Sequence, residues 1–195
     1  MVTVGVTGGL GAGKSTACEF LREKGACIFN ADDIAKEILS TNAEVQDAIS
    51  AAFGPGIIVD DRIDNRRLAQ QAFLNEEHQT TLNNILHPHV IAAFEKKAEE
   101  LASQTGLLVV DAPLIFESGF DSHLDHTVLI YTTFKIRLAR AMRRGTLSRE
   151  DILRRIQLQM PEEDKRELAT HVIENNGTAE QLREAMYALY DQLMG

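Results

Sequence analysis

The sequence has only two cysteines in its 195 residues, Cys18 and Cys27. Two cysteines without metal-ligand spacing exclude a disulfide framework and a structural zinc site, and their apolar neighbours predict buried, reduced thiols. No apolar run approaches the ~18 residues of a membrane-spanning helix. The opening residues also lack the basic and apolar regions of a signal peptide. We therefore expect a cytoplasmic protein that does not interact with a membrane.

Basic residues are also in short supply. Lysines and arginines number 20 against 29 acidic residues, which gives a formal net charge of −9. A protein that binds nucleic acid without sequence preference needs a basic surface, so the charge balance argues against that class. The hydrophobic content of 44% and the charged content of 25% are typical of a globular protein, and the length suits one α/β domain.

The apolar segments predict an α/β fold. Continuous or alternating apolar runs of strand length lie at Val2–Thr7, Ala26–Phe29, Leu107–Val110, Thr127–Tyr131 and, more weakly, His171–Ile173. Helical periodicity separates these runs. Continuous apolar strands are typical of a parallel sheet covered on both faces, and strands joined through helices form right-handed βαβ units. We predict a doubly wound parallel sheet within one domain, residues 1–195.

Two helical excursions interrupt the predicted core. No convincing strand is found between about 35 and 105, where helices should break at Gly54–Gly56 and at His87–Pro88 because glycine and proline disrupt helices. We interpret this segment as an all-helical insertion. The second excursion covers about 134–168. The core segments are then about 1–34, 106–133 and 169–195.

A complete Walker A pattern, Gly-x-x-x-x-Gly-Lys-Ser, begins at Gly8 between a predicted strand and a predicted helix. Glycines let successive backbone N–H groups turn toward one anion, and the helix N-terminus adds its positive end. Lys14 should reach the β- and γ-phosphates while the Ser15 hydroxyl ligates Mg²⁺. The pattern predicts a P-loop NTPase-type fold that binds ATP through Gly9, Gly11, Ala12, Gly13, Lys14, Ser15 and Thr16.

Carboxylates follow two of the predicted strands. Asp111 follows Leu107–Val110, where a Walker B acid would hold Mg²⁺ through a water, although it could simply cap the strand. Asp32 and Asp33 follow the second strand shortly after its end. A kinase that acts on a hydroxyl needs a carboxylate to orient that group and accept its proton. The alternative is that Asp32 or Asp33 only caps the next helix.

Basic residues concentrate in the second helical excursion. Between Lys135 and Arg155 only two acids, Glu150 and Asp151, stand against eight basic residues: Lys135, Arg137, Arg140, Arg143, Arg144, Arg149, Arg154 and Arg155. Guanidinium groups bind phosphate oxygens bidentately, so we predict a helical lid that closes over polyphosphate and excludes water. A solvated helix face is the alternative. Arg140 and Arg144, one turn apart, are our candidates for phosphate contact, and the lid helices should break at Gly145 and Pro161.

Motifs of one known family occur in order along the chain. They are Gly5–Ser15, Asn30-Ala31-Asp32, Leu86-His87-Pro88, Pro113–Glu117, Arg140 with Arg144, Gln159-Met160-Pro161 and Val172–Gly177. This set resembles the dephospho-coenzyme A kinase family from end to end. The chain departs from the family pattern where Asn30 replaces an Asp, Arg137 replaces a Gln, and Ala169-Thr170 replaces an Ala-Asp pair. The phosphate cradle, Asp32 and the lid arginines are retained.

The resemblance implies a particular reaction. The γ-phosphoryl group of ATP would move to the 3′-hydroxyl of dephospho-coenzyme A, the last step of coenzyme A biosynthesis, with Mg²⁺ held by Ser15 and Asp111. Asp32 would be the catalytic base, with Lys14 and Arg140 as the other catalytic residues. The helical insertion would bind the acceptor, whose contacts would be Asp32, His87, Pro88, Pro113, Leu114, Phe116 and Glu117. ATP would also contact Arg144, Asn175 and Gly177.

Other functions stay open at the level of sequence. Another P-loop nucleotide or small-metabolite kinase would share the cradle and the lid and differ in the acceptor lobe. A nucleotide-dependent switch or a binding module without turnover is a further alternative, although no Asn-Lys pair for guanine recognition is present. Asp32 and the basic lid favour turnover. The expected partners are ATP and dephospho-coenzyme A, with no nucleic acid, in a monomer or a small homo-oligomer.

Overall fold

The computed structural model describes residues 1–60 and 62–195. The strands of this part of the chain are β1 Val2–Thr7, β2 Cys27–Asn30, β3 Ile58–Val59, β4 Arg62–Ile63, β5 Leu107–Asp111, β6 His126–Tyr131 and β7 His171–Glu174. Its α-helices are α1 Lys14–Glu23, α2 Ala31–Thr41, α3 Ala43–Phe53, α4 Asn65–Ala72, α5 Glu76–Leu101, α6 Phe134–Arg144, α7 Arg149–Gln157, α8 Glu162–Leu168 and α9 Ala179–Met194. None of the described helices has both the length and the hydropathy needed to cross a bilayer.

Five strands form one parallel sheet in the order β2-β5-β1-β6-β7. The prediction of a doubly wound α/β sheet is confirmed, and each predicted core strand is present with its ends shifted by no more than a residue. All of β5 is buried, as expected for a central strand with both faces covered. Parallel pairing brings the carboxyl ends of β1, β5 and β6 to one edge, where ligands bind in such folds.

One face of the sheet is covered by α1 and α9. Leu21 of α1 and Met186 of α9 are fully buried there and belong to one cluster with Val4 and Val6 of β1. Leu182 and Leu189 of α9 belong to the same cluster, so one apolar face of this helix packs in the core.

The two cysteines differ in their surroundings. Cys18 is a residue of α1 and is buried in the core cluster that this helix forms with the sheet. Burial raises the pKa of its thiol to about 11, so the thiol is neutral at physiological pH. Cys27 is half-buried at the start of β2. The prediction of two buried thiols is thus correct for Cys18 and wrong for Cys27, because β2 is an edge strand with less cover.

The chain divides into two compact units. One consists of Met1–Asn30 with Lys97–Gly195, and the other is Ala31–Lys96. The second unit has its own apolar core, formed by Leu39, Val45, Ile49, Ile57 and Leu68. The assignment of about 35–105 to an acceptor-binding lobe stays a prediction.

The second unit contains a strand pair that the sequence did not predict. β3 and β4 are antiparallel, with Ile58 opposite Ile63 and Val59 opposite Arg62. Asp60 follows β3 with a φ of 49°, in the left-handed region that hairpin turns use. The expectation of an all-helical insertion is wrong here, because strands of two residues are too short to show a period in the sequence.

Helix α5 runs without interruption through Pro88, so the predicted break at His87–Pro88 is wrong. His87 is helical and not extended. Proline leaves the carbonyl four residues earlier without its helical partner, and that residue is Asn84. Pro88 and Asn84 are both exposed, so water can bond to this carbonyl. The predicted break at Gly54 is confirmed, because α3 ends at Phe53.

The helices of the predicted lid end where glycine and proline indicate. α6 ends at Gly145, which is left-handed with a φ of 66°. The Ser148 hydroxyl caps α7 by accepting the backbone N–H of Asp151. α8 begins directly after Pro161. Both predicted breaks are confirmed.

Helix α9 depends on its first turn. The Thr178 hydroxyl accepts the Gln181 backbone N–H, and the Gln181 side chain accepts the Thr178 backbone N–H. We expect Thr178→Ala to lower the free energy of unfolding by about 1 kcal/mol, measured by urea denaturation. Thr80→Ala, at an exposed position inside α5, is the control and should change it by less than about 0.5 kcal/mol. Equal losses in both variants would contradict a specific capping role.

Candidate active site

The loop between β1 and α1 needs glycine for its backbone conformation. Gly11 and Gly13 have φ angles of 85° and 99°, in the left-handed region that other residues rarely adopt. The Ala12 N–H donates to the Gly9 carbonyl at 2.9 Å and closes a tight turn. Gly13 is also the N-cap of α1. The loop backbone and the helix N-terminus therefore meet at one place, as an anion site requires.

Neighbouring groups also approach the same glycines closely. A Cβ atom at Gly9 would overlap the guanidinium of Arg137, and one at Gly11 would overlap the Arg137 backbone carbonyl. A Cβ atom at Gly13 would overlap the side-chain amide of Asn175. Gly11 and Gly13 are thus favoured by contacts with α6 and with the end of β7 as well as by their own dihedral angles, whereas Gly9 is favoured by its contacts alone.

Asn175 joins three parts of this site. It is buried, and its side-chain N–H donates to the Ala12 carbonyl at 2.7 Å. Its backbone carbonyl accepts the Arg140 guanidinium at 3.0 Å and lies 3.2 Å from the Thr132 hydroxyl, which is 3.0 Å from the Ala12 carbonyl. The side chain of Asn175 thus holds the phosphate loop. Its contact with ATP stays a prediction.

An ion pair links Lys14 to Asp111. The Lys14 ammonium pairs with the Asp111 carboxylate, which is buried at the end of β5. β5 lies beside β1, with Asp111 opposite Val6, so the acid is brought directly under the loop. The Ser15 and Thr16 hydroxyls are exposed in the first turn of α1, and neither is hydrogen-bonded within the described part of the chain. The pairing of Asp111 with Lys14 favours a role in the site over the alternative of a simple strand cap.

The basic residues of the lid do not form one solvated face. Arg137 is buried, Arg140 is half-buried against Asn175, and Arg144 is exposed at the end of α6. Arg140 and Arg144 do lie one turn apart on one helix. Their contact with phosphate stays a prediction.

Arg137 forms a buried ion pair that sequence reasoning missed. Its guanidinium lies 3.5 Å from the carboxylate of Glu162. Burial raises the pKa of Glu162, and the charges of Arg137 and Lys165 together with the Gly9 backbone N–H oppose that rise. No local pattern announces this pair, because its partners lie on different helices.

The segment after β5 is fixed by another buried cation. Lys165 has no exposed surface, and its ammonium donates to the Pro113 carbonyl at 3.0 Å and pairs with the Glu117 carboxylate at 2.9 Å. The Pro113 carbonyl also accepts the Thr7 hydroxyl at 3.1 Å, and Glu117 accepts the Met160 N–H at 2.9 Å. Glu117 therefore has protein partners, and Lys165 was not predicted as a site residue.

The remaining candidates of this unit are less constrained. Leu114 and Phe116, in the segment after β5, are both half-buried. Gly177 is exposed in the turn before α9. Their contacts with substrates stay predictions.

The candidates of the second unit lie on two of its helices. Asp32 is exposed in the first turn of α2 and accepts no hydrogen bond from the described residues. Because α2 begins one residue earlier, Asp32 is not the N-cap. Asp33 pairs with Lys36 at 2.7 Å. His87 and Pro88 lie in the middle of α5, half-buried and exposed respectively.

Oxygen ligands for a metal are few. Among the described residues, no three His, Cys, Asp or Glu side chains are grouped as in a protein-only metal site. Mg²⁺ in phosphoryl transfer takes one or two protein oxygens and completes its shell with phosphates and water. The Ser15 hydroxyl and the Asp111 carboxylate fit that limited requirement.

The sheet order, the glycine loop at its carboxyl edge and the Lys14–Asp111 pair define the class of protein, a P-loop NTPase-type fold. The fold is shared with shikimate kinase from Acinetobacter baumannii, with a TM-score of 0.58 at 18% identity over 100% of this chain and 93% of that chain. At this identity the likeness concerns the fold alone.

Closer relatives identify the family. The dephospho-CoA kinase family model matches residues 2–181. A dephospho-CoA kinase of Salinibacter ruber is 42% identical over 100% of this chain and 99% of its own length. The structure of dephospho-CoA kinase from Campylobacter jejuni matches with a TM-score of 0.72 at 29% identity, over 98% of this chain and 96% of that chain. The chain belongs to the dephospho-CoA kinase family, as its motifs predict, and is therefore an ATP-dependent phosphotransferase.

The role of the Asn175 side chain in holding the loop can be tested by comparing substitutions at Asn175 and Asn176. Asn175→Asp removes the donor to the Ala12 carbonyl and brings a second acceptor to it, so we expect the KM for ATP to rise about tenfold at pH 8. Asn176→Asp is the matched control, because the Asn176 oxygen accepts the Thr133 N–H and an Asp oxygen can do the same. Steady-state kinetics measure both variants. Equal KM values would contradict the role of the Asn175 amide in holding the loop.

Proposed function

We propose that this chain transfers the γ-phosphoryl group of ATP to the 3′-hydroxyl of dephospho-CoA with Mg²⁺ as cofactor, and that it does so in the cytoplasm. The observation that carries the proposal is the Lys14–Asp111 pair beside the glycine loop, in a chain of this family. The pair supports phosphoryl transfer, and family membership supports the acceptor. The free thiols of Cys18 and Cys27 agree with a reducing compartment.

The donor side consists of the loop and two cations. Backbone N–H groups of the glycine loop would bind the phosphates, and Lys14 would exchange Asp111 for phosphate oxygens when ATP enters. Arg140, fixed by the Asn175 carbonyl, would add positive charge where the transferring group becomes more negative. Bound Mg²⁺ would neutralise the β- and γ-phosphate oxygens, held by Ser15 and Asp111.

The acceptor side depends on Asp32. Its carboxylate is exposed and accepts no hydrogen bond from the described residues, so it is available to accept the proton of the attacking hydroxyl. The remainder of dephospho-CoA would contact His87, Pro88, Pro113, Leu114, Phe116 and Glu117. Glu117 would act there partly by holding its own segment, because its carboxylate already pairs with Lys165.

A coupled ADP-release assay with Mg²⁺-ATP tests the reaction. We expect turnover with dephospho-CoA and little or none with AMP, adenosine or shikimate as the acceptor. Turnover confined to another acceptor would keep the phosphoryl-transfer chemistry and reject the proposed substrate. Absence of turnover with every acceptor would favour a binding module instead.

Asp32 is tested by a change that removes its charge and keeps its size. We expect Asp32→Asn to lower kcat by about 10²-fold or more, because the hydroxyl loses its proton acceptor, while the Kd for ATP stays the same. Asp33→Asn, one position along α2, is the matched comparison and should keep most of the activity. A similar loss in both variants would indicate that the first turn of α2 acts structurally.

A further inference from the structure

Helix α8 carries two buried charges in an otherwise exposed helix. Glu162 is 8% exposed and Lys165 is fully buried, whereas Glu163, Asp164, Arg166 and Glu167 are exposed. Residues three apart lie on the same side of a helix, so both charges point into the protein. Burying an ion costs several kcal/mol unless partners compensate for the lost water. The partners of these two ions belong to different parts of the candidate site, α6 in one case and the segment after β5 in the other.

Glu162 contacts the donor side. Its carboxylate lies 3.5 Å from the Arg137 guanidinium and packs beside Gly9, where an added Cβ atom would come within 2.7 Å of a Glu162 oxygen. The backbone of Arg137 packs so closely on Gly11 that no side chain would fit there. Glu162 thus holds the start of the lid helix α6 against the phosphate loop.

Lys165 contacts the segment after β5, which the proposed function assigns to the acceptor side. One ammonium group reaches both ends of the segment after β5, the Pro113 carbonyl at 3.0 Å and the Glu117 carboxylate at 2.9 Å. The Met160 N–H, just before α8, donates to the same carboxylate at 2.9 Å. Lys165 thus fixes the segment as a unit.

We propose that α8 aligns the phosphate loop with the acceptor-side segment, with Glu162 positioning the donor side and Lys165 the acceptor side. The proposal rests on the proposed function, in which Pro113–Glu117 contacts the acceptor. Neither side chain touches a substrate. Phosphoryl transfer depends on the relative position of donor and acceptor, and a displacement of about 1 Å can cost about 10²-fold in rate. A short rigid helix that contacts both sides meets this requirement.

Several buried polar atoms of these ion pairs lack a hydrogen bond, which argues against a purely stabilising role. Within the described part of the chain, one oxygen of Glu117, both oxygens of Glu162 and the Arg137 Nε lack a hydrogen bond. Buried ion pairs of this kind are often no more stabilising than apolar residues of similar size. Removing one partner alone leaves the other charge buried without compensation and lowers stability, so the kinetic comparison needs variants that fold.

Two variants separate the two sides. We expect both variants to lower kcat because donor and acceptor are misaligned, and we expect Lys165→Met to raise the KM for dephospho-CoA about tenfold and to leave the KM for ATP unchanged. We expect Glu162→Gln to do the reverse, raising the KM for ATP about tenfold. Glu167→Gln on the exposed face of α8 and Lys97→Met, whose exposed side chain pairs with Glu100, are the matched controls and should keep both constants.

The test of the proposal is whether each variant changes the KM for one substrate and not for the other. Separate effects, each on the expected substrate, would support alignment by α8. A joint rise of both constants in either variant, or no change in either, would overturn the proposal. If Lys165→Met does not fold, Lys165→Gln gives the same comparison, because its amide can still donate to the Pro113 carbonyl while the charge is lost.

Phe116→Ala distinguishes failure of this proposal from failure of the proposed function. If Phe116→Ala raises the KM for dephospho-CoA and Lys165→Met does not, the segment contacts the acceptor and the role of α8 is rejected. If Phe116→Ala also leaves that KM unchanged, the assignment of the segment to the acceptor fails, and the alignment proposal falls with it.

Discussion

The close approach of other elements to the glycine loop is the constraint on which the site depends. The Asn175 amide and both the backbone and the guanidinium of Arg137 occupy the space where side chains would stand at residues 9, 11 and 13. Left-handed dihedral angles alone would make the loop possible, but they would not fix it. Because the loop is held from outside, its N–H groups are already arranged before a phosphate arrives, which lowers the reorganisation that binding requires.

The close packing of Arg137 on the glycine loop also explains why the basic residues of the lid differ in their roles. Arg137 is buried and paired with Glu162, so it supports the loop and is not available to a ligand. Arg140 is half-buried and oriented by a backbone carbonyl, whereas Arg144 is exposed. The charge cluster that the sequence shows as one feature thus divides into a structural part and a part that can meet substrates. Arg137 also stands where the family pattern has a Gln, and Glu162 provides the charge that balances it.

Local patterns predicted the sheet and the loop because both depend on neighbouring residues. Apolar runs gave every strand of the parallel sheet, and the Walker A pattern gave the loop. The pattern around Pro88 failed because a long helix with exposed residues at the proline can continue through it. The hairpin at Asp60 was too short to detect. The contacts of Asn175 and Lys165 could not be predicted, because their partners lie 163 and 52 residues away and no periodicity connects them.

The contact between Ala12 and Asn175 also orders events during synthesis. A ribosome makes the glycine loop 163 positions before it reaches the amide that holds this loop. β1 likewise has to wait for β5 and β6, its neighbours in the sheet. A nascent chain therefore carries the loop without the Asn175 contact while those 163 residues are made. A ligand of the loop then stabilises only chains in which Asn175 has been made and has packed on the loop.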